Sequence, residues 1–177
     1  MILPSVTTVL SPYADFSGIP SHVLEAAAER GTRFHRYASA RLQGLLLPPV
    51  TADIQGFVVS WEQWAAEQID QVYAAEIALQ DDVFGYCGHV DAIIRIRGDK
   101  KLTVVDWKTP IQAQKTWELQ TAAYRHLGCL AGYDIGRDMS VRPDRDGGRA
   151  RVTEYTRYPL ALKSFLGALS VWRFLNG

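Results

Sequence analysis

The sequence predicts one domain of the α/β or α+β sandwich class, in which helices pack on a sheet. Apolar residues recur at helical spacing in the first 70 residues, again after Pro110, and again near the end of the chain. Between these stretches lie segments rich in Ile, Val and Tyr that fit strands joined by Gly-containing turns. The predicted order is therefore helices, three strands, a helix, two strands and a helix.

The helical segments follow an irregular lead-in over residues 1–20. Ser21 can cap a first helix that Gly31 ends, and Thr32 can cap a second that runs to about Gln43. A third helix is predicted from Ala52 to about Gln71. The core side of the second helix is marked by Phe34, Tyr37, Ala38, Leu42 and Leu45. Helices are also predicted after Pro110, ending near Gly132, and from about Leu160 to Leu175.

The strand segments begin at Val72. Period-two alternation there predicts one face with Tyr73, Ala75, Ile77 and Leu79, and places Glu76 on the other face. A central hairpin follows between residues 85 and 108. Its strands are apolar on both faces, which is typical of strands buried in the middle of a sheet. A second hairpin has Asp146-Gly147-Gly148 at its turn.

Composition excludes several classes of protein. The 177 residues are 47% hydrophobic and 21% charged, which suits a globular domain with its own core. No run approaches the ~20 apolar residues of a membrane span, and the N-terminal segment does not resemble a secretory signal. Two cysteines cannot supply the four ligands of a zinc or iron–sulfur site. We therefore expect a reduced cytoplasmic protein without an iron–sulfur cluster.

The central hairpin places charged residues close together. With Gly98-Asp99 at its turn, residues whose numbers sum to 197 face each other, so Asp91 lies opposite Asp106. Lys108 points to the same face, two residues after Asp106. Two carboxylates and an ammonium on an apolar hairpin are costly for stability alone. This indicates a divalent-metal site with a lysine beside it, and a structural ion pair is the alternative.

Four short motifs occur in a fixed order along the chain. G-x-x-x-H ends at His35, G-x-x-D ends at Asp91, D-x-K spans Asp106 to Lys108, and Q-x-x-x-Y joins Gln120 to Tyr124 on one helix face. Each motif alone is unspecific, but the ordered set resembles the RecB-like branch of the PD-(D/E)XK nucleases over roughly residues 31 to 125. The sequence departs from that family name in having Val90 where the name has proline.

The resemblance implies a restriction-endonuclease-like αβββαβ core with a central mixed sheet, and hydrolysis of nucleic-acid phosphodiesters with Mg²⁺ or Mn²⁺. Asp91 and Asp106 match the metal carboxylates, and the Trp107 carbonyl matches a further ligand. Lys108 matches the lysine that activates the attacking water. Further metal-site and site-lining positions implied by the resemblance are His35, Glu76, Gln120 and Tyr124. From the residues alone, His35 could instead be a core-edge histidine, Glu76 a solvated strand residue, and Gln120 with Tyr124 a buttress for the sheet.

Net charge is zero, so a nucleic-acid partner must be held by a local basic patch or through metal. The main basic concentration is the second hairpin, with Arg149 and Arg151 as candidate phosphate contacts and a solvated hairpin as the alternative. We expect a single nuclease domain over residues 1–177 that acts on DNA in recombination or repair. An exonuclease is favoured over an endonuclease, with a recombination or repair protein as an accessory partner. The rival interpretations are a silent DNA- or protein-binding subunit and a small-molecule phosphoesterase.

Overall fold

The computed structural model describes residues 3–14, 17–110 and 112–177. Helices in these ranges are α1 (Val6–Leu10), α2 (Ser21–Leu42), α3 (Gln55–Gln68), α4 (Thr116–Leu130) and α5 (Tyr158–Asn176), with a 3₁₀ turn at Ser11–Tyr13. Strands are β1 (Ile69–Asp81), β2 (Tyr86–Ile96), β3 (Leu102–Trp107), β4 (Ile135–Arg142) and β5 (Arg151–Tyr155). Among the described residues, no helix is both long and apolar enough to cross a membrane.

The five strands form one mixed sheet in the order β1-β2-β3-β4-β5. Strands β3 and β4 are parallel, whereas the other three neighbouring pairs are antiparallel. A parallel pair needs a crossover connection, and here α4 supplies it. The structure confirms the predicted α/β class and its mixed sheet with flanking helices, and a helix–three strands–helix–strand order is the core that the nuclease resemblance implies.

Helices cover both faces of the sheet, each over its own apolar cluster. On one face, Trp61 and Trp64 of α3 meet Trp107 of β3 edge to face, with ring centroids 5.6 Å apart in both pairs. On the other face, α1, α4 and α5 pack around residues such as Tyr86 and Phe165, whose centroids lie 4.9 Å apart. All six residues of β3 are buried, as expected for a strand in the middle of a sheet.

The register of the central hairpin is the predicted one. Ala92 pairs with Val105, and the two pairs that follow keep the same sum of 197. Gly98 at the turn has a φ of +84°, a left-handed conformation that glycine adopts without steric cost. Continuing the ladder by one residue places Asp91 beside Asp106.

The alternation of side chains between the two faces of the sheet is interrupted at Glu76, in the middle of β1. Ala74 and Ile77, three residues apart, both pack on the α4 side of the sheet. Val90 and Ile93 of β2 do the same. Glu76 has a φ of +53°, alone among the described non-glycine residues in the left-handed region. Because of this kink, the predicted face of Tyr73, Ala75, Ile77 and Leu79 is wrong: Ala74 replaces Ala75 in the cluster, and Tyr73 is exposed.

Other predicted boundaries were also wrong. The two helices expected on either side of Gly31 are one helix, α2, in which Gly31 lies close to the Thr109 side chain after β3 rather than at a helix end. Leu45 is 58% exposed and not in the core. The third helix ends at Gln68 and β1 takes the residues beyond it. A short helix, α1, lies in the predicted irregular lead-in, whose residues 1, 2, 15 and 16 are outside the described ranges.

Candidate active site

An open cleft of about 500 Å³ lies between α2 and α4, above β2 and β3. Its walls carry every residue of the four sequence motifs that has a proposed chemical role. The lining side chains and main-chain segments belong to Ser5, Thr7, His35, Gly88, His89, Asp91, Asp106, Trp107, Lys108, Thr109, Pro110, Gln114, Trp117, Gln120 and Tyr124. The motifs are therefore brought together by the fold.

Asp91 is buried in the floor of the cleft and is 8% exposed. Its Oδ1 lies 3.1 Å from His35 Nδ1, and its Oδ2 accepts a hydrogen bond of 2.8 Å from the Trp107 main-chain N–H. Burial raises the pKa of Asp91, but the charge and hydrogen bond of His35, together with the Trp107 N–H, lower it further than burial raises it. Asp91 is thus ionised at neutral pH.

His35 reaches the cleft from α2, and its side chain is 31% exposed. Burial lowers its pKa, whereas the charge and hydrogen bond of Asp91, helped by Asp106, raise the pKa to about 9. Without metal, His35 is therefore protonated at neutral pH and forms an ion pair with Asp91.

Asp106 lies deeper than Asp91 and is 2% exposed. Its Oδ2 lies 2.6 Å from Lys108 Nζ, yet this oxygen has no hydrogen bond of acceptable geometry. Burial raises the pKa of Asp106; Lys108 lowers it and Asp91 raises it, and the result is about 6. Asp106 is a desolvated carboxylate that its one ammonium partner does not fully stabilise.

Lys108 is fixed from the side of α4. Its Nζ donates to Gln120 Oε1 at 2.8 Å, and Gln120 Nε2 donates to the Tyr124 hydroxyl at 3.0 Å. Tyr124 fits over β2 because residue 88 is glycine: a Cβ there would lie 2.7 Å from Tyr124 Cε1. The glycine of G-x-x-D thus makes room for the tyrosine of Q-x-x-x-Y.

Glu76 of β1 is next to Asp91 by register, since Ala75 pairs with Ala92 and Ile77 pairs with Val90. Three carboxylates, one from each of three neighbouring strands, therefore form a row with Asp106 at its end. Burial raises the pKa of Glu76, and the charge of Asp91 raises it further. Glu76 is exposed and does not line the cleft itself.

The indole and the main chain of Trp107 contact different parts of the molecule. The indole is buried against α3 on the opposite face of the sheet. Because the indole packs against α3 on that opposite face, the part of Trp107 that lines the cleft is the main chain. This position suits the predicted role of its carbonyl oxygen as a ligand.

The described residues contain no cluster of three or more His, Cys, Asp or Glu side chains that would by itself hold a metal ion. The donor set nevertheless fits Mg²⁺, which takes one or two carboxylates and keeps several waters. The observation that supports the fit is Asp106 Oδ2, a buried oxygen without a hydrogen bond. A cation there would favour the ionised form that burial now disfavours.

The predicted phosphate contacts lie elsewhere. Arg149 lines a groove of about 260 Å³ between α3 and the β4–β5 hairpin, with Trp64 and Met139 at its floor. These two residues belong to the cluster on the face of the sheet away from α4. Arg151 is exposed at the start of β5. The structure does not bring either arginine into the cleft.

Sequence reasoning missed Trp117, whose ring lies 5.5 Å from Lys108 Nζ. A signal was present, because Trp117, Gln120 and Tyr124 follow i, i+3 and i+7 spacing and so share one face of α4. His89 and Gln114 were missed as well. No motif in the sequence points to them.

No protein-family model and no curated protein matches this chain. Solved structures that resemble it include an alkaline exonuclease from Laribacter hongkongensis, with a TM-score of 0.44 and 11% identity over 97% of this chain and 90% of that one. The same enzyme in complex with dAMP gives 0.41 and 15%, over 98% and 91%. An exonuclease candidate from Eubacterium rectale gives 0.40 and 11%, over 89% and 83%. Likenesses this distant assign no activity, so function is inferred from the site.

Proposed function

We propose that this protein is a metal-dependent DNA nuclease that hydrolyses phosphodiester bonds, acting as an exonuclease rather than an endonuclease. The observation that carries the proposal is the pair of buried carboxylates, Asp91 and Asp106, on neighbouring strands of one cleft, with Lys108 Nζ 2.6 Å from Asp106. A purely structural ion pair would not need a third carboxylate beside it or a protonated histidine on the other side.

Asp91, Asp106 and the Trp107 carbonyl would hold Mg²⁺ or Mn²⁺, with His35 and Glu76 as further members of the metal site. When bound, the ion would supply Lewis-acid polarisation of a phosphate oxygen and a lowered pKa for a bound water. His35 must lose its proton to act as a ligand, so ion binding would replace the His35–Asp91 ion pair with two metal contacts.

Lys108 would serve the reaction through its ammonium group. It would place positive charge where the phosphate gains negative charge in the transition state, and it would orient the attacking water. Gln120 would hold the Lys108 ammonium at this position, and Tyr124 would in turn hold Gln120.

DNA is the proposed substrate because the cleft is open and because the resemblance to RecB-like nucleases implies nucleic acid. A small-molecule phosphoesterase would be expected to enclose its ligand. We propose a role in recombination or repair, with an accessory protein from that process as partner, and this part of the proposal rests on the resemblance alone. Arg149 and Arg151 remain proposed phosphate contacts outside the cleft.

The test incubates the protein with 5′- and 3′-labelled linear DNA, single- and double-stranded, and with circular DNA, in Mg²⁺, Mn²⁺ or EDTA. We expect degradation of linear DNA only, lost in EDTA and lost in Lys108→Ala. Lys163→Ala is the matched control, because Lys163 is exposed on α5 and does not line the cleft.

Two results would contradict the proposal in different ways. Cleavage of circular DNA would replace the exonuclease with an endonuclease. DNA binding without cleavage under every metal condition would favour the silent nuclease-fold subunit.

A further inference from the structure

We infer that the outer edge of β5, together with the groove between α3 and the β4–β5 hairpin, is a docking site for an extended acidic peptide segment of a partner protein. The segment would add a sixth strand to the sheet and place an apolar side chain in the groove. This inference goes beyond the proposed cleavage reaction and does not depend on it, since the groove shares no lining residue with the cleft.

Strand β5 is an edge strand whose outer side is open. It pairs with β4 alone, so every second residue turns its N–H and carbonyl groups away from the sheet. Among the described residues, no main-chain group of another segment hydrogen-bonds to these outward groups. The opposite edge is less regular, because β1 is kinked at Glu76 and Gln43 Nε2 donates to the Ala75 carbonyl at 3.4 Å. An extended peptide can therefore gain main-chain hydrogen bonds at β5 without a change in the fold.

The groove gives this edge an apolar pocket. Trp64 and Met139 at its floor are 7% and 2% exposed, and Val152 of β5 lines it and is 47% exposed. Val152 pairs with Val141, whose side chain lies in the cluster on the α3 side of the sheet. Because directly opposed residues of a ladder share a face, a residue that pairs with Val152 on an added strand would also face α3. The groove can thus take an apolar anchor of the kind that dominates binding at protein interfaces.

The charges around the groove favour an acidic partner. Arg149 lines the groove and Arg151 begins β5, and both are exposed. Neither has an ion pair among the described residues, whereas Glu154 of β5 accepts hydrogen bonds of 3.0 and 2.7 Å from Arg137. Glu67 is an exposed acid on the α3 rim. Carboxylates of the peptide are therefore expected at the hairpin side of the groove, beside the two unpaired guanidinium groups.

A DNA backbone is the other anion that Arg149 and Arg151 could contact, as proposed above. It would use the two guanidinium groups, whereas an added strand would also use the outward main-chain groups of β5 and the apolar floor. The open edge and the floor therefore favour a peptide at the groove itself. Peptide and DNA would compete only for the two arginines.

The test measures binding of the fluorescein-labelled peptide Asp-Asp-Val-Thr-Leu-Thr-Phe-Asp-Asp by fluorescence anisotropy in EDTA. Its acids stand at both ends, which serves either strand direction, and its apolar residues share one face of an extended chain. We expect saturable binding that weakens as salt rises, and no binding when lysine replaces each aspartate. N-methylation of Val, Leu and Phe, or of both Thr, removes donors from one edge of the peptide. One of these two peptides should lose about tenfold or more in affinity, and the other should keep it.

Variants of the protein locate the bound peptide. Arg149→Gln should weaken binding about tenfold, as for loss of a charge-assisted hydrogen bond, whereas Lys163→Gln on α5 should leave it unchanged. Gln63→Phe places a ring over the groove from an exposed position on α3 and should block the peptide while sparing DNA binding. Gln55→Phe makes the same change on α3 outside the groove and should match the unmodified protein. Thermal unfolding checks that each variant is folded.

Absence of saturable binding of the acidic peptide to the unmodified protein would overturn the inference. Binding that falls in Arg149→Gln but ignores both Gln63→Phe and N-methylation would overturn it as well, because the arginines would then be a general anion site of the kind that a DNA phosphate uses. All peptide measurements are made without metal. A failure of the proposed nuclease, seen as no cleavage in Mg²⁺, is therefore distinguished from a failure of this docking site.

Discussion

Asp106 and Lys108 show how single residues carry the chemistry of this cleft. Each is nearly buried, with side chains 3% and 13% exposed, and a buried charge without its partner is far more costly than the pair. Even so, Asp106 Oδ2 has no hydrogen bond, and burial raises the pKa of Asp106 to about 6 although Lys108 lowers it. The residue is therefore better suited to receive a cation than to stabilise the fold.

The ion pair of His35 and Asp91 predicts a pH-dependent stability in EDTA. The pKa of His35 rises from an ordinary 6.5 to about 9 in the folded protein, so its stabilisation is complete below pH 6.5 and is lost as pH rises through 9. The difference in unfolding free energy between the unmodified protein and His35→Gln should shrink over this range by on the order of 2 kcal/mol. Denaturant unfolding at each pH measures it.

The control for that titration is His22→Gln, since His22 is exposed on the same helix. Its unfolding free energy should follow the unmodified protein at every pH. If His35→Gln also ran parallel to the unmodified protein, the ion pair would contribute nothing to stability.

Gly88 predicts a steric test of the link between β2 and α4. In Gly88→Ala the new Cβ would lie 2.7 Å from Tyr124 Cε1, so the tyrosine must shift, and with it the Gln120–Lys108 contact. We expect a loss of about 1–3 kcal/mol in unfolding free energy, as for other overpacked sites, and a fall in kcat. Thermal unfolding and cleavage kinetics measure these effects.

Gly167→Ala is the matched glycine control, because nothing lies within 4 Å of a Cβ built there on α5. It should raise the unfolding free energy by about 0.5–1 kcal/mol and leave cleavage unchanged. A Gly88→Ala protein as active and stable as the unmodified one would show that Tyr124 has room to move.

At the scale of the elements, the kink at Glu76 predicts stored strain in β1. A non-glycine residue in the left-handed region costs on the order of 1 kcal/mol or more. Glu76→Gly and Glu76→Ala both remove the carboxylate, but only glycine relieves the backbone. The Gly variant should therefore unfold with a free energy about 1 kcal/mol higher than the Ala variant. Equal stabilities would mean that the strand relaxes at this residue.

The same pair of variants tests the carboxylate itself. If Glu76 belongs to the metal site, both variants should bind Mn²⁺ more weakly than the unmodified protein in calorimetric titration. Unchanged Mn²⁺ affinity in both would remove Glu76 from the site and leave Asp91 and Asp106 as its acids.

Sequence alone predicted the central hairpin well because a local turn sets its register. Gly98 at the turn and the apolar strands leave one pairing that keeps Asp91 beside Asp106. It could not predict that Gly31 lies inside α2, since local helix signals do not report the contact with Thr109 across the fold. The kink at Glu76 was missed for the same reason. The side chains of β1 and β2 change from one face of the sheet to the other at the same point, and the sequence of β1 alone does not reveal this change.

The site was predictable to the extent that its members lie in short motifs. Lys108 and Gln120 fall within such motifs, and the structure joins them at 2.8 Å. Trp117 of α4 lies with its ring 5.7 Å from Arg142 Cζ of β4, a contact between elements that are distant in sequence. Their position had to be seen in the fold.

At the scale of the whole molecule, the net charge of zero means that attraction to DNA must come from local groups. Among the described residues that line the cleft, the two carboxylates of Asp91 and Asp106 are matched by the Lys108 ammonium and the protonated His35, so the cleft itself offers no excess of positive charge. Outside the cleft, the proposed basic region for a DNA strand is Arg149 with Arg151 at the β5 edge of the sheet. How far a bound DNA strand extends over the protein surface decides whether Arg149 and Arg151 contact it.

Charge reversal at Arg149 and Arg151 tests that extent. If the strand continues across the β5 edge, Arg149→Glu with Arg151→Glu should weaken DNA binding and flatten its dependence on salt, because fewer counterions are released. Lys100→Glu with Lys163→Glu makes the same change in net charge at exposed positions away from the cleft and from Arg149 and Arg151. It should have a smaller effect on DNA binding. An unchanged salt slope would confine the DNA contact to the cleft, since a local phosphate contact cannot be removed without changing that slope.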